Sequence, residues 1–307
     1  GREMSMELIE LSNALVKATD HTAASVVAVH TEARRSSSGV IWRPGVMVTA
    51  EHALRGDEEI QATLPNGRIV PATLAGRDPA TDLAVLKCPE AGAASAERGD
   101  AAAIKPGSIA LVVGRTRASG PVAALGVVSL VVSERQTWSG SSLVPYVRLD
   151  VSLQPTAVGG AVVDAYGKVV GIASPRFTRF GALAIPSATV DGIAETLLQK
   201  GRIPRGYLGV ALQPVRLPDH VRQSLQHNEK TAVIILEVEE DGPAHRAGIV
   251  IGDILVSLAG QPISRPESVQ PHLQAENIGK SLSAKIVRGG AVRDVAISVG
   301  DRANGGE

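Results

Sequence analysis

Three segments of the 307-residue chain carry side chains suited to acid–base or acyl-transfer chemistry. Residues 46–54 (VMVTAEHAL) form an apolar strand pattern that runs into His52. Residues 76–87 (GRDPATDLAVLK) contain Asp82, and residues 154–160 form a loop that ends in two glycines. A histidine oriented by a carboxylate can act as a general base, but acyl transfer also needs a nucleophile. A histidine after a strand is more often structural when it stands alone, so the neighbouring segments decide the interpretation.

The glycine-pair loop and its flanking strands resemble the nucleophile loop of trypsin-like proteases, which reads D-x-x-x-x-P-G-x-S-G-G-P-L-V. The positions that fit this pattern are Asp150, Pro155, Gly159, Gly160, Val162 and Val163. Val158 stands where the pattern has its serine, and Thr156 and Ala161 depart from it as well. Three departures in one loop indicate natural degeneration, since an engineered knockout normally changes the serine alone.

The other two segments extend this resemblance. Residues 49–52 resemble the T-A-x-H segment of trypsin-like proteases, and residues 76–87 closely resemble the G-R-D-P-x-T-D-L-A-V-L-K segment of the HtrA (high-temperature-requirement) proteases. The resemblance implies that His52 is the general base and that Asp82 orients its imidazole. Further similar segments lie at residues 183–186, 205–210, 242–249 and 252–255, so that the resemblance covers roughly residues 23–300.

The valine at the serine position determines the expected activity, because valine has no oxygen that could attack a carbonyl. The family's oxyanion hole uses the backbone N–H groups at the positions of Val158 and Thr156, and a β-branched threonine avoids conformations open to glycine. We therefore expect a proteolytically inactive HtrA-like homologue, acting as an adaptor, scaffold or chaperone-like binder in protein quality control.

The alternative is an active HtrA-like serine endopeptidase, either mutated in this form or using another nucleophile. The candidate serines for such a rescue are Ser139, Ser141, Ser142 and Ser152.

Residues 205–210 and 242–255 are similar to the signature segments of PDZ domains. The resemblance implies that Tyr207, Leu208, Gly209 and Val210 receive the free C-terminus of a peptide, which adds as a strand to the sheet edge. By the same resemblance, Val269 and Leu273, one helical turn apart, would face the terminal side chain. The expected partners are protein or peptide ligands with apolar C-termini.

The helix expected at residues 265–275 departs from the family pattern. Ser264 and Glu267 have the spacing of a capping box that would start it. Pro271 inside it removes a backbone donor and should kink the helix, so the groove is expected to be narrowed.

The pattern of elements is that of a mostly β chain, a trypsin-like double β-barrel followed by a C-terminal PDZ domain. Met4, Leu8, Leu11 and Leu15 share one face of a helix expected in residues 1–22, with Ser5 as its cap. Short β runs fill residues 23–203 up to an amphipathic helix at 187–200, ended by Gly201. The PDZ domain is expected at residues 206–301, and the polar tail 302–307 is expected to be disordered.

Composition excludes several classes of function. The formal net charge is zero and aromatic residues are only 2%, so neither nucleic acid nor a membrane surface is an expected partner. The seven histidines show no metal-ligand spacing, and no cofactor or metal is expected. The single cysteine, Cys88, is expected to be a buried thiol.

Compartment and assembly follow from the N-terminal region. No apolar run is long enough to span a bilayer and no signal peptide is present, so the chain is expected in the cytoplasm if Met4 is its native start. Otherwise the periplasm is expected, as is usual for the family.

HtrA trimers are commonly held by N-terminal aromatic residues, and none occurs here before Trp42. The N-terminal helix therefore either packs on its own domain or forms an oligomer contact.

Overall fold

The computed structural model describes residues 2–31, 36–54, 59–92, 95–132, 145–176, 178, 181–219, 222–223 and 229–302. The described residues form two compact units, one that ends at Ile203 and one that begins at Pro204. Ser139, Ser141 and Ser142, and the expected disorder of residues 303–307, lie outside the described residues.

The first unit contains two closed six-stranded barrels, which confirms the predicted double barrel. The first barrel has the strand order β1-β2-β3-β6-β5-β4. Its strands are β1 (Val26–Thr31), β2 (Ser36–Arg43), β3 (Val46–Ala50), β4 (Ile60–Thr63), β5 (Ile69–Asp78) and β6 (Leu83–Lys87). Val, Ile and Leu side chains fill its interior, and the Cys88 thiol is buried there as expected.

The second barrel has the strand order β10-β11-β12-β9-β8-β7. Its strands are β7 (Ile109–Thr116), β8 (Gly120–Val132), β9 (Tyr146–Asp150), β10 (Ala161–Val163), β11 (Val169–Ser174) and β12 (Ala182–Pro186). A further apolar core joins the outer faces of both barrels, around the buried side chains of Trp42, Leu83, Leu111 and Ile172.

Two helices pack on this shared core. Helix α1 (Arg2–Ala23) contributes Leu15 and Ala18, and α2 (Ser187–Lys200) contributes Val190 and Leu197. As predicted, Gly201 ends α2 with φ 71° and donates its N–H to the Leu197 carbonyl. The prediction that Ser5 caps α1 is wrong, because the helix begins at Arg2 and Ser5 lies inside it.

The second unit is a PDZ-type sheet in which β14-β15-β16-β18-β19 lie in that order, β17 pairs with β16, and β13 pairs with β20. The strands are β13 (Gly206–Tyr207), β14 (Val210–Arg216), β15 (Thr231–Val238), β16 (Ile254–Leu258), β17 (Gln261–Pro262), β18 (Ser281–Arg288), β19 (Ala291–Ser298) and β20 (Gly300–Asp301). A single helical turn, α3 (Pro243–Arg246), lies between β15 and β16.

The segment expected as a kinked α-helix is instead a 3₁₀-helix, Pro266–Leu273. Pro271 inside the segment removes a backbone donor from the α-helical ladder, which favours the tighter and shorter-range 3₁₀ winding, whereas Pro266 occupies the first helical position, where proline is tolerated. The predicted capping box is also wrong: the residue before the helix is Arg265, and it makes no side-chain capping bond.

One buried charge organises the second unit. The Asp253 carboxylate is fully buried and accepts from Arg288 through Nε and Nη2, each at 2.7 Å, and from the Val250 N–H at 3.0 Å. Burial acts to raise the pKa of this carboxyl, but the Arg288 and Val250 hydrogen bonds hold it below its ordinary value. The pair therefore fixes the turn before β16 as an ionised, fully hydrogen-bonded contact.

Substitution Arg288→Gln should destabilise the second unit by more than the loss of a surface ion pair does, because it leaves the buried Asp253 carboxylate without its charged partner. Hydrogen exchange of the β16 and β18 amides measures the loss. The matched control is Lys285→Gln, which removes a surface pair with Asp294 and should cost under about 1 kcal/mol.

The pH dependence of this difference has a definite sign. Since the folded-state pKa of Asp253 is lowered, the pair stabilises the fold above the unfolded-state pKa and its contribution is lost as pH falls through the folded-state pKa. The free energies of unfolding of the variant and the parent should therefore converge in strongly acidic solution. Equal protection of the two proteins at neutral pH would contradict this role.

The outer face of α1 is unusually apolar. Leu15 packs on the core, but Leu8 and Leu11 of the same predicted stripe are 64% and 43% exposed. Met6, Ile9 and Val16 are exposed on the helix too. A group of exposed large apolar side chains on one element is typical of an interaction surface.

We expect the full chain to self-associate through α1, and Leu8→Glu with Leu11→Glu to shift it to monomer, because buried carboxylates would oppose the contact. Light scattering at several protein concentrations measures the mass. The control Glu7→Gln with Glu10→Gln should leave the oligomer intact. An oligomer that survives the two glutamate substitutions would place the contact elsewhere.

Candidate functional site

His52 and Asp82 are brought together by two neighbouring strands of the first barrel. The strands β3 and β6 pair up to Ala50 and Leu83. His52 lies in the single 3₁₀ turn that follows β3, and Asp82 immediately precedes β6. Asp82 has φ 58°, a left-handed conformation that turns its side chain back toward the histidine. The two predicted site residues thus meet where the strand pair ends.

The His52–Asp82 contact is close and directional. The Nδ1 atom of His52 lies 2.8 Å from both Asp82 carboxylate oxygens, and the His52 backbone N–H donates to Oδ1 at 2.9 Å. Because Nδ1 faces the carboxylate, the proton of the neutral ring resides there and Nε2 keeps its lone pair. The imidazole is therefore oriented as a general base would be, with its side chain 35% exposed.

The Asp82 carboxylate, itself fully buried, has a further partner from the second barrel. Ser174, at the end of β11, donates its hydroxyl to Oδ2. Sequence reasoning did not single out Ser174, since a lone serine at a strand end carries no signal. With the backbone and ring donors of His52, this hydroxyl satisfies a carboxylate that would otherwise be costly to bury.

A cluster of charges lies beside the pair. Arg176 Nη1 is 3.0 Å from Glu51 Oε2 and 3.8 Å from Asp82 Oδ1, and Arg77 reaches the other Glu51 oxygen at 3.6 Å. The Glu51 side chain is only 12% exposed. His52 therefore lies beside a charge-compensated network in which Arg176 contacts both Glu51 and Asp82.

The glycine-pair loop is closed by its own backbone. Pro155–Ala157 form a 3₁₀ turn, and the N–H of Val158 donates to the Pro155 carbonyl at 3.3 Å. Val158 is 7% exposed and offers an isopropyl group. Its amide, which the family resemblance would assign to an oxyanion hole, is thus already bound within the loop.

Ser38 of β2 anchors this loop from the first barrel. Its N–H donates to the Val158 carbonyl at 2.7 Å and its hydroxyl to the Thr156 carbonyl at 2.6 Å. The hydroxyl also accepts from the Arg115 N–H at 2.8 Å. Gly159, with φ 78°, fits so tightly that an added Cβ would lie 2.8 Å from the Ala50 nitrogen. The loop is consequently held against the strand that leads to His52.

Chemically, this arrangement provides an oriented base and an orienting carboxylate. The loop supplies neither a nucleophilic atom on Val158 nor a free amide there. Ser152 follows β9 and is exposed.

Among the residues that the structure describes, no group of three or more His, Cys, Asp or Glu could hold a metal ion. No described helix has the length and apolar character to cross a membrane.

The second unit presents an open sheet edge. Strand β14 is the terminal strand, and the 3₁₀-helix Pro266–Leu273 contacts it. The carbonyls of Leu208 and Gly209, just before β14, accept from Ala244 and Glu239 at 2.8 Å each. Between described residues, the N–H groups of Leu208 and Gly209 donate to no acceptor.

These amides form a small donor site. Gly209 has φ 74°, which lets successive N–H groups point the same way, and such a concave run of amides binds anions. Of the residues predicted to receive a ligand side chain, Val269 is 3% exposed and Leu273 is partly buried, and both pack with the core of this unit. Tyr207 pairs with Gly300 in the small β13–β20 sheet.

Comparisons with known proteins agree with these features. Residues 37–172 match the trypsin-like peptidase domain family, and residues 206–299 match the PDZ domain family. A probable periplasmic serine endoprotease DegP-like of Halomonas elongata is 30% identical over 279 residues, which is 89% of this chain and 58% of that protein. The chain thus spans somewhat under three fifths of the length of the curated relatives it matches.

Solved structures show the same two-unit fold. The serine endoprotease from Yersinia pestis superposes with a TM-score of 0.75 at 26% identity, covering 94% of this chain and 98% of that one. The HtrA-type protease AlgW with tripeptide superposes with a TM-score of 0.73 at 27% identity, covering 95% and 98%. With its trypsin-like barrels, its PDZ domain and these relatives, the chain belongs to the HtrA/Deg family.

Proposed function

We propose that this chain is a proteolytically inactive HtrA-like protein that binds the C-terminal segments of other proteins through its PDZ domain. Its role would be that of an adaptor, scaffold or chaperone-like binder in protein quality control. The observation that carries the proposal is Val158: its side chain has no nucleophile, and its amide is bound to the Pro155 carbonyl.

The size of the chemical loss supports inactivity. In a serine protease, removal of the nucleophile alone lowers turnover by about a millionfold. An unformed oxyanion hole costs a further factor, on the order of 100 to 1,000 for each donor lost. The oriented His52 cannot compensate, because a general base acts only on a nucleophile that is present.

The active endopeptidase remains the second candidate, and one observation favours it. The His52–Asp82 pair has the short contacts of a working base, at 2.8 Å. The relatives described above are also named as serine endoproteases. Covalent labelling of the native chain by a fluorophosphonate at any serine would support this candidate, and absence of labelling would support the inactive binder.

We expect the chain to cleave casein no faster than its His52→Ala variant. Substitution Val158→Ser alone should remain at least about 100-fold less active than Val158→Ser with Thr156→Gly. The reason is that the serine restores the nucleophile, whereas glycine at 156 gives the loop the freedom to release the amide at 158. Casein turnover and fluorophosphonate labelling measure both steps.

The control for this series is His52→Ala added to the double variant, which should abolish any restored turnover. If the unsubstituted chain shows turnover that disappears with His52→Ala, the inactive assignment is wrong. If Val158→Ser alone cleaves casein as fast as the double variant, the hydrogen bond that holds the amide at position 158 does not limit activity.

The PDZ domain should bind peptides that end in an apolar residue with a free carboxylate, in the micromolar range, and C-terminal amidation should weaken binding at least about tenfold. The amides of Leu208, Gly209 and Val210 provide donors for a carboxylate, and an uncharged amide would present a donor of its own. Fluorescence anisotropy with the full chain and paired acid and amide peptides gives the ratio.

Gly209→Ala should reduce the ratio of acid-peptide to amide-peptide affinity, because φ 74° is strained for alanine. Gly260→Ala is the matched control: it has φ 77° and open space around it, in the turn after β16. It should carry the same kind of backbone strain without changing the acid-to-amide ratio. Equal binding of acid and amide peptides by the unsubstituted chain would refute carboxylate recognition.

A further inference from the structure

The open edge of β14 has a backbone pattern that can be worked out from its neighbours. At its start, the Gly209 carbonyl accepts from the Glu239 N–H at 2.8 Å, and this bond flanks the Val210–Val238 pair, which is therefore a non-hydrogen-bonded pair. Successive residues of a strand direct their N–H and C=O groups to opposite sides. The N–H and C=O of Val210 therefore face the open edge.

The far end of the strand gives the same alternation independently. The Ile235 N–H donates to Asp253 at 2.9 Å and its carbonyl accepts from Gly252 at 2.8 Å, so Ile235 faces away from β14. Its neighbour Ile234 then faces β14, opposite Gln213.

Gln213 and Ile234 thus form a hydrogen-bonded pair. The residues on either side of Gln213, Leu212 and Pro214, consequently direct their backbone outward. The irregularity in this pairing lies on β15, where Leu236 has no partner in the register, so β14 itself alternates without interruption.

The outward positions of β14 are therefore Val210, Leu212, Pro214 and Arg216. Val210 and Leu212 each offer an N–H and a C=O to an added strand. Pro214 offers a C=O alone, and its ring occupies the place of the missing N–H. The outward-facing N–H groups that continue from the Leu208–Val210 amides along β14 are therefore interrupted at Pro214, the third outward position of the strand.

We propose that Pro214 limits the ligand to about four C-terminal residues, an inference that rests on the proposed PDZ function. A peptide whose carboxylate lies at the Leu208–Val210 amides runs antiparallel to β14, with alternate residues facing its edge. Its last residue pairs with Val210, its third from last with Leu212, and its fifth from last meets Pro214. At that point the peptide carbonyl loses water without gaining a donor, which offsets the bond that the peptide N–H can donate to the Pro214 carbonyl. The proline ring also stands between the two backbones and keeps the peptide from continuing to Arg216, so further residues add little backbone affinity.

Proline on an edge strand also protects a sheet against uncontrolled strand addition. That protective effect has the same physical cause, the missing N–H, but a proline at any outward position of the strand could provide it. The position of Pro214, two outward steps beyond the carboxylate site, is what sets a length. Ligand length is therefore the property to measure.

The test uses the full chain and peptides of three to seven residues with a free N-terminal amine, built of alternating Thr and Val and ending in a free Val carboxylate. The four-residue peptide then carries no carbonyl at the position that meets Pro214. Affinity is measured by titration calorimetry. For the unsubstituted chain, affinity should rise up to four residues and then change by less than about twofold. For Pro214→Ala, the six- and seven-residue peptides should bind about three- to tenfold more tightly than the four-residue peptide, since one backbone hydrogen bond is gained.

Pro218→Ala is the matched control, an exposed proline just beyond β14, and it should reproduce the plateau of the parent chain. Affinity of the parent that keeps rising to seven residues would overturn the proposal, and this arm does not depend on any variant. A plateau that persists in Pro214→Ala, with unchanged thermal unfolding, would also overturn it. If no peptide of any length binds, the PDZ function itself fails and the length limit falls with it.

Discussion

The structure of the first unit depends on satisfying the buried carboxylate of Asp82. An ionised group with no exposure is tolerated only when donors surround it. Here the donors come from the backbone and ring of His52 in the first barrel and from the Ser174 hydroxyl in the second. The same contacts that orient the His52 imidazole thus also join the two barrels. This gives the His52–Asp82 pair a structural role that does not depend on the residue at position 158.

The second unit shows how one pair can set a binding edge at a distance. Arg288 holds the Asp253 carboxylate, while the Asp253 and Gly252 backbone holds Ile235 of β15. The direction of Ile235 in turn decides which backbone groups of β14 remain open. The charge pair thus supports the turn whose backbone binds Ile235, and the alternation of β15 is shared by its neighbour β14.

Patterns of several residues could be read from the sequence, whereas single residues with tertiary partners could not. The barrel strands and α2 follow from β-branched runs, glycine turns and an apolar periodicity, and the structure has them near the expected positions. The expectation of a kinked α-helix at 265–275 was wrong because Pro271 changes the type of winding as well as its direction. Ser38, Ser174 and the outward direction of Pro214 required knowledge of strand pairing, since nothing near them in the sequence marks their partners.

The contact between Asp82 and Ser174 also bears on how the chain is completed during synthesis. The two residues are 92 positions apart, so a ribosome adding about 5–20 residues per second would separate their appearance by roughly 5–20 s. During that interval the first barrel has a carboxylate and the Ser38 hydroxyl without their partners from the second barrel. The first barrel is therefore left incomplete until residue 174 has emerged, and the two barrels become native together.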